Sequence, residues 1–503
     1  MSANRGTAYG SRDGGRDRDG HGRIVGDRAG RRGSEGHVAE HSDGGHTAIV
    51  IGGGLAGMLA VTALLGQVDA ITVVERDRYP QEPAFRKGVP QARHLHILLS
   101  GGERALEELL PGTVAALRDA GARSLYLPRD LLTRTPTGWQ RRFDERRHRT
   151  LSVTRPVLDA VVREQALRAA AASATRVEVL EATEAVGLTG EAGRVTGVRV
   201  RPRDGDPGGR AERVLPAGLV VDASGRGSRT PQWFSALGRA APQEETVDAG
   251  LAYATRMYRP KDPATAPDAG VNVPGWPECP RGAAYVPVED GKWLLTLSGV
   301  RGHHPPTDAA EFTAFTATIG DPYVHELLAR AEPLSPVHGF RDTCNRRRHY
   351  ERPGALPEGF LVLGDAGCTF NPVYGQGMSV AALGALAVRT TLADGGLRPG
   401  ATADAQRAIA RSVEPAWLAA VGSDRPYAGP ADTKAGPGER LATWYLDRLA
   451  ARAAIDPVVG AAFRDVFCLT APPARLLAPR VVLRTVFLPR RPGLPGPPAV
   501  EGG

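Results

Sequence analysis

A glycine-rich segment near the start of the chain carries residue types that favour dinucleotide binding. Gly52 to Gly57 reads Gly-Gly-Gly-Leu-Ala-Gly and matches the pattern G-x-G-x-x-G. In such a loop Gly52 allows a tight turn, Gly54 lets backbone approach a pyrophosphate, and Gly57 permits close packing of helix on strand. The N–H groups and the dipole of the following helix would then face the phosphates.

The surroundings of this loop complete a βαβ unit. Thr47 to Ile51 is a short β-branched run typical of a buried parallel strand, Met58 to Leu65 predicts a helix closed by Gly66, and Ala70 to Glu75 predicts the next strand. Glu75 then stands where a carboxylate accepts the hydroxyls of an adenosine ribose. A carboxylate there would repel the 2′-phosphate of NADP, so the motif favours FAD or NAD.

A second segment, Gly364 to Met378, decides between those two cofactors. It predicts a strand end, a loop and a helix start, with Asp365 at the strand end and Gly375 and Gly377 at the helix start. Asp365 can accept hydrogen bonds from a polyol chain. Backbone N–H groups at Gly375 and Gly377 can face the negative edge of a reduced flavin. A dehydrogenase needs no such element, so FAD is favoured, although Asp365 as a helix cap stays open.

Between these segments lies a third, Val220 to Ser228, in which a predicted strand ends at Asp222 before a turn containing Gly225 and Arg226. This arrangement suits a third approach to the dinucleotide. An Asp-capped turn is the alternative interpretation.

The elements that must position these segments predict an α/β fold. We expect a helix over Pro156 to Ala172, meander strands at 176–180 and 194–200, and a hairpin of 282–288 with 292–297 across Asp290-Gly291. A Rossmann-like FAD-binding domain, an inserted antiparallel-sheet substrate domain and a helical C-terminal region follow from this pattern. The predicted ranges are 1–45 for a disordered tail, 46–235 and 341–400 for the FAD-binding domain, 236–340 for the substrate domain, 401–490 for the helical region and 491–503 for a flexible tail.

Composition narrows the class of protein. The net charge is +8 over 503 residues, but the arginines are spread along the chain, which argues against a nucleic-acid partner. The four cysteines lie far apart without Cys-x-x-Cys spacing, so we expect neither a disulfide scaffold nor a local metal site. No apolar run is long enough to span a bilayer and no secretory signal is visible, which predicts a cytoplasmic protein without stable membrane insertion.

The three motifs, in this order, resemble the p-hydroxybenzoate hydroxylase class of FAD-dependent monooxygenases, and the resemblance runs from about His46 to about Arg491. A narrower resemblance, carried by Arg86 to His96 together with Phe370 to Gly375, is to the FAD-dependent polyether epoxidases of the monensin and lasalocid type. Two departures from this pattern stand out. The third motif reads Asp222-Ala223 where the class has Asp-Gly, and Gln376 stands where the epoxidases carry His.

The resemblance implies roles for particular positions. Glu75 would bind the ribose, Asp365 the ribityl chain, Arg155 the FAD phosphates, and Asp222 both FAD and a passing nicotinamide. The implied cofactor-binding set is Gly52, Gly54, Leu55, Ala56, Gly57, Glu75, Arg76, Arg86, Lys87, Arg155, Asp222, Asp365, Gly375, Gln376, Gly377 and Met378. The implied substrate-pocket set is Tyr253, Tyr285, Trp293 and Phe370, with Pro372 and Gln376 near the flavin.

The resemblance also implies a reaction. Reduced flavin and O₂ would form a C4a-hydroperoxide that transfers one oxygen atom to an apolar substrate, so the protein must exclude water and needs no catalytic dyad. The first choice is epoxidation of an olefinic polyketide or prenyl chain in antibiotic biosynthesis. NAD(P)H would reduce the flavin directly or through a partner reductase. His94 and His96, which alternate as on a strand, are interpreted as hydrogen-bonding histidines.

Other functions remain open at this level. Aromatic hydroxylation uses the same fold and oxidant, and no base that would activate a phenol is identifiable in the sequence. A flavin-dependent reductase of a prenyl chain and a flavin-loaded binding protein are further alternatives. A flavin halogenase is disfavoured, because Gly275-Trp276-Pro277-Glu278 does not supply the Trp-x-Trp-x-Ile-Pro run of that class.

Overall fold

The computed structural model describes residues 46–204, 211–427 and 437–501. The predicted tail over 1–45 lies outside them, and so does most of 428–438, a Pro/Gly-rich stretch whose composition predicts a linker within the helical region. The α-helices are α1 (Leu55–Leu64), α2 (Ser100–Leu109), α3 (Thr113–Asp119), α4 (Arg155–Ala171), α5 (Thr230–Ala236), α6 (Ala309–Phe315), α7 (Tyr323–Ala329), α8 (Gly377–Ala393), α9 (Ala401–Asp424), α10 (Pro437–Ala453), α11 (Pro457–Phe467) and α12 (Pro479–Phe487).

The β-strands are β1 (Thr47–Ile51), β2 (Ala70–Val74), β3 (Ile97–Leu98), β4 (Arg123–Leu127), β5 (Leu131–Thr135), β6 (Gly138–Trp139), β7 (Arg142–Phe143), β8 (His148–Ser152), β9 (Arg176–Leu180), β10 (Thr183–Glu191), β11 (Arg194–Pro202), β12 (Arg213–Pro216), β13 (Leu219–Asp222), β14 (Glu244–Val247), β15 (Ala252–Pro260), β16 (Gly270–Val273), β17 (Arg281–Pro287), β18 (Trp293–Gly299), β19 (Ala331–Pro333), β20 (His338–Phe340), β21 (Asn345–Arg348), β22 (Phe360–Val362), β23 (Cys368–Thr369) and β24 (Val500–Glu501).

A five-stranded parallel sheet in the order β22-β13-β1-β2-β9 forms the base of the candidate site. Both faces of this sheet are covered, which is why its strands are continuous apolar runs rather than alternating ones. Ala48, Val50 and Val221 face one hydrophobic cluster, and Ile49, Ile51 and Val220 face another. The carboxyl ends of β1, β13 and β22 lie side by side, so the loops that follow them meet at one edge of the sheet.

Four helices cover one face of this sheet and fix its loops. The buried residues of α1, α4, α8 and α9 belong to the same cluster as Ala48 and Val50. Helix α1 begins at Leu55, three residues before the predicted start, because the glycine-rich loop itself supplies the first turn. Helix α4 begins at Arg155, with Pro156 in its first turn as predicted.

A larger sheet, in the order β19-β15-β18-β17-β16-β5-β6 with β20 also on β15, forms the inserted region. The predicted hairpin is confirmed as β17 and β18, joined through Asp290 and Gly291, which both have positive φ (59° and 66°). Strands β5 and β6 precede α4 and lie outside the predicted range of 236–340. They join the sheet through a parallel pairing of β5 with β16, a long-range contact that leaves no local signal.

The prediction of a flexible tail over 491–503 is wrong for the residues up to 501. Leu494 exchanges backbone hydrogen bonds with Trp139, the N–H of Gly493 donates to the carbonyl of Thr137, and β24 pairs with β7. These partners come from the region before α4, so the composition of the tail could not indicate them.

The predicted α/β architecture is confirmed: a Rossmann-like βαβ sheet, an inserted, mainly antiparallel sheet and helices toward the C-terminus. Among the described residues, no helix is both long and apolar enough to cross a membrane.

Candidate functional site

Residues of all three motifs line one cavity of about 530 Å³ at the carboxyl edge of the parallel sheet. A volume of this size lies within the range of cofactor and ligand pockets. The predicted residues among its lining are Gly52, Gly54, Leu55, Ala56, Glu75, Arg76, Arg86, Arg155, Asp365, Phe370, Pro372, Gly375, Gly377 and Met378. Gly57, Lys87, Asp222, Tyr253, Tyr285, Trp293 and Gln376 are not part of it.

The three motif glycines of the first loop are constrained in different ways. Gly52 has φ of +95°, and a Cβ there would come within 2.7 Å of the carbonyl oxygen of Ala223. A Cβ on Gly57 would lie 1.8 Å from the carbonyl oxygen of Gly52, because α1 packs directly on the loop. A Cβ on Gly54 would meet no atom of the described residues within 4 Å, and Gly54 lines the cavity. The protein's own packing therefore demands the first two glycines but not the third.

Glu75 lines the cavity beside the glycine-rich loop. Its carboxylate accepts hydrogen bonds from the N–H groups of Gly53 (2.7 Å) and Asp77 (2.9 Å), and Arg86 Nη1 lies 3.3 Å from Glu75 Oε1. The Tyr79 hydroxyl donates to the carbonyl of Gly53 (2.8 Å) and so holds the loop from the other side. These bonds place a buried carboxylate and a buried guanidinium beside the glycine-rich loop.

Asp365 also lines the cavity, and its carboxylate accepts no hydrogen bond from the described residues. Burial raises the pKa of Asp365, while the positive charges of Arg226, Arg155 and Arg346 oppose that shift. Gly377, the first residue of α8, is close by, since a Cβ built on it would lie 3.7 Å from Asp365 Oδ1. A half-buried acceptor without a donor, next to a helix N-terminus, is suited to hydroxyl groups of a ligand.

Asp222 was expected to contact the cofactor, but the structure gives its carboxylate a different set of partners. It is fully buried and accepts hydrogen bonds from the Ser224 N–H (2.9 Å) and from the hydroxyls of Ser224, Ser228 and Thr230 (2.5 Å each). These bonds fold the loop after β13. The cavity is reached instead by Arg226 of the same motif, which forms an ion pair with Asp342 (3.0 Å).

His96 is a functional candidate that the sequence analysis interpreted as an ordinary hydrogen-bonding histidine. His94 and His96 lie in a bend and an extended segment before β3, not on a strand as expected, and His96 lines the cavity. His96 Nδ1 bonds to the carbonyl of His94 (2.9 Å). Because a carbonyl only accepts, Nδ1 carries the proton and Nε2 is left as an acceptor. Burial, with the charge of Arg155, lowers the pKa of His96 to about 3, so the ring is neutral.

His94 has a structural environment instead. Its Nδ1 bonds to the Thr255 hydroxyl (2.8 Å), and its ring packs edge-on against Tyr253 at 4.6 Å. Tyr253 stacks on Phe340, which lines the cavity, so Tyr253 supports the wall without reaching it.

Tyr285 and Trp293, also expected in the pocket, pack on each other at 4.8 Å within the core of the large sheet. The hairpin pattern predicts that these two aromatic side chains are buried. It does not predict which side of the sheet faces the cavity.

A buried polar cluster supports the segment from Phe370 to Gly375. Asp424, at the end of α9, accepts hydrogen bonds from Asn345 Nδ2 (2.6 Å), Asn371 Nδ2 (3.2 Å) and the Tyr374 hydroxyl. Gln376 follows this segment, and its Oε1 is buried with no hydrogen-bond partner among the described residues. The cluster therefore holds in place the segment from Phe370 to Gly375, which forms part of the cavity wall.

Comparison with known proteins places the chain in a family. Protein Rv3254 of Mycobacterium tuberculosis (strain ATCC 25618 / H37Rv) is 32% identical over 378 residues, which are 74% of this chain and 78% of that protein. The chain belongs to the family of Protein Rv3254. No family model matches the chain.

Solved structures share the fold of this Rv3254 family member at low identity. A flavoprotein/dehydrogenase from Cytophaga hutchinsonii has a TM-score of 0.60 at 15% identity, over 88% of this chain and 96% of its own. The myxobacterial chondrochloren halogenase CndH, a FAD-dependent halogenase, gives 0.57 at 20%, over 81% and 90%. PqsL from Pseudomonas aeruginosa, a probable FAD-dependent monooxygenase, gives 0.56 at 19%, over 76% and 98%. At these identities the likeness establishes a common fold.

Proposed function

We propose that the chain binds FAD in this cavity and acts as an FAD-dependent monooxygenase on an apolar organic molecule. The observation that carries the proposal is the convergence of all three motifs on one cavity in which a carboxylate and a glycine loop are left without protein contacts. Gly54 leaves space that no described side chain fills, and Asp365 is an acceptor without a donor. FAD-dependent halogenases and monooxygenases among the structural neighbours support the same class.

The residues present fit FAD along the length of the cavity. Gly54 and the first N–H groups of α1 would hold the pyrophosphate, and Glu75 would accept the ribose hydroxyls. Asp365 would accept the ribityl hydroxyls, and the N-terminus of α8 at Gly377 would face the negative edge of the isoalloxazine. The lining also carries six arginines against four carboxylates, an excess of positive charge that suits an anionic pyrophosphate.

Bound and reduced, the flavin would supply the oxidant for transfer of one oxygen atom from O₂ to the substrate. The protein's part is to exclude water and align the reacting carbon. Leu95, Ile97, Phe340 and Phe370 give the cavity an apolar wall for this purpose. We propose NAD(P)H as the electron donor, which would act directly or through a partner reductase.

Epoxidation of an olefinic polyketide or prenyl chain remains the first choice for the reaction. A double bond needs only the oxidant and a dry, shaped wall, and no protonated group is required next to it. The test is turnover of candidate polyenes under labelled O₂. After acid opening of the product, an epoxide yields a diol with one labelled oxygen and one solvent oxygen on adjacent carbons. A product that is a catechol, with polyenes left unchanged, would contradict epoxidation but not the flavin class.

Aromatic hydroxylation is the second candidate, and His96 is the observation that favours it. His96 lines the cavity, and its neutral imidazole, with Nε2 left as an acceptor, can accept a hydrogen bond from a phenol hydroxyl and so orient the ring. His96→Leu would then raise the KM for phenols by about threefold to tenfold, the value of one lost hydrogen bond. Epoxidation would be much less affected by the same change. Omitting halide from the assay separates both reactions from halogenation, whose product requires it.

A further inference from the structure

Helix α12 and its flanks expose an unusual number of apolar side chains. Leu477 is 64% exposed, Leu483 56% and Phe487 74%, and Leu488 follows directly. Single exposed leucines are ordinary on protein surfaces, but a contiguous exposed apolar patch marks a contact with something else.

The helix is anchored by one face and presents the other. Val481 and Thr485, four residues apart, are buried, and Val481 belongs to the small core shared with α10 and α11. Leu483 and Phe487, also four residues apart, lie on the opposite, exposed side. The helix is therefore already packed on the protein through its buried side, and Leu483 and Phe487 lie on its outer surface.

The C-terminal end of α12 is held rigidly. Arg448 of α10 donates hydrogen bonds to the carbonyls of Thr485, Val486 and Leu488 (2.6–3.0 Å). Arg452 donates to the carbonyl of Pro489 (3.0 Å). The Arg448 guanidinium also lies 6.0 Å above the ring of Trp444, which is itself exposed. The patch thus continues from α12 onto α10 with a fixed shape.

The charged side chains of the segment that carries α12 have one sign. From Ala471 to Val500 the chain has five arginines and neither Asp nor Glu. Arg475 and Arg484 pair with Asp465 and Asp456. The remaining three are exposed and form no ion pair within the part of the chain that the structure describes: Arg480, Arg490 and Arg491. Their positive charge is therefore free to meet an external anion.

We propose that this surface, formed by Leu477, Leu483, Phe487, Leu488 and the three free arginines, attaches the protein peripherally to an anionic lipid bilayer. Phe and Leu on one side of a helix, flanked by arginine and without carboxylates, is the pattern of helices that lie in the bilayer interface. The apolar side chains would enter the acyl boundary while the arginines meet lipid phosphates. The inference goes beyond the proposed function and does not depend on it.

The test is co-sedimentation of the full chain with lipid vesicles. We expect binding to vesicles of equal parts phosphatidylglycerol and phosphatidylcholine, weak binding to phosphatidylcholine alone, and weakening of the former as salt is raised. Free phosphate at the same concentration should not compete, because it offers no apolar phase. Absence of binding to the phosphatidylglycerol vesicles would overturn the proposal.

Two sets of variants separate the apolar and the charged contribution. The double variant Leu483→Glu/Phe487→Glu should abolish vesicle binding, since it places two carboxylates at the interface. The triple variant Arg480→Gln/Arg490→Gln/Arg491→Gln should weaken binding by about fivefold per arginine, from the usual gain of a basic residue near an anionic surface. Val214→Glu is the matched control, because Val214 is equally exposed (56%) on edge strand β12.

The result that would contradict the proposal is a double variant that binds as well as the Val214→Glu control, both folded by circular dichroism. Sedimentation velocity without lipid addresses a different occupant. A wild-type dimer that becomes a monomer in the double variant would show that the face joins two copies of the chain, and the bilayer proposal would be wrong.

Discussion

Two aspartates at the ends of neighbouring parallel strands have opposite surroundings. Asp222 is the last residue of β13 and accepts four hydrogen bonds from the loop that follows, and it does not line the cavity. Asp365 follows β22, lines the cavity, and accepts none from the described residues. The first carboxylate stabilises a loop, and the second is left for a ligand. Position at a strand end does not by itself distinguish a scaffold residue from a binding residue; the donors around it do.

The largest effect should come from removing the scaffold carboxylate. Asp222→Ala leaves three hydroxyls and one N–H without their acceptor in a buried site. We expect a loss of about 3–5 kcal/mol in the free energy of unfolding, because each buried donor left without an acceptor costs about 1–3 kcal/mol. Denaturant melts of wild type and variant measure this. Ser224→Ala removes only one of the four donors, the Ser224 hydroxyl, and should cost about 1 kcal/mol.

Removing the ligand-facing carboxylate should act on FAD and not on the fold. Asp365→Ala should weaken FAD binding by about tenfold to a hundredfold, the value of a charge-assisted hydrogen bond. Its stability without FAD should be unchanged or higher, because burial raises the pKa of this carboxyl and makes its charge unfavourable. Equilibrium titration with FAD gives the first quantity and thermal melts the second.

Glu184→Ala is the control for this comparison. Glu184 also lines the cavity, but its carboxylate is already paired with Arg201 at 2.6 Å. Its FAD affinity should stay close to that of wild type. An Asp365→Ala protein that binds FAD as tightly as this control would show that Asp365 is a structural residue like Asp222.

A smaller effect is expected from His94, which lies behind the cavity wall. Burial lowers the pKa of His94 to about 3, whereas in the unfolded chain it is about 6.5. Below pH 6.5 the unfolded state binds more protons, so stability is complete above 6.5 and falls as the pH approaches 3. At pH 5.5 His94 should cost about 1.4 kcal/mol relative to neutral pH.

His94→Gln should remove that part of the pH dependence, which is measured as the difference in unfolding free energy between pH 7.5 and 5.5 (about 1.4 kcal/mol). An unchanged difference in the variant would mean that His94 titrates normally. The absolute stability of the variant is not the readout, because the change also removes the contacts of His94 with Tyr253 and Thr255.

How much the sequence predicts depends on how local each feature is. The β1-α1-β2 unit and the β17–β18 hairpin were predicted because strand, turn and helix signals lie within a few residues of each other. The partners of Asp222 and Asp365 were not predicted, because the sequence around the two residues is alike. Each stands at or just after the end of an apolar strand and has a glycine within the next three residues. The pairing of Leu494 with Trp139 and the parallel contact of β5 with β16 join segments far apart in the chain. The role of His96 depends on a carbonyl bond that only the folded backbone provides.

The central claim is that the cavity holds FAD, and the most direct measurement is the flavin content of purified Gly54→Val. No described atom would meet a Cβ at Gly54, so the variant should fold and melt like FAD-free wild type while its side chain occupies the space of the pyrophosphate. Gly193→Ala, another glycine with open space around it, is the control and should keep its flavin. We predict stoichiometric FAD in wild type and control and none in Gly54→Val. A folded Gly54→Val protein that retains stoichiometric FAD would contradict the account.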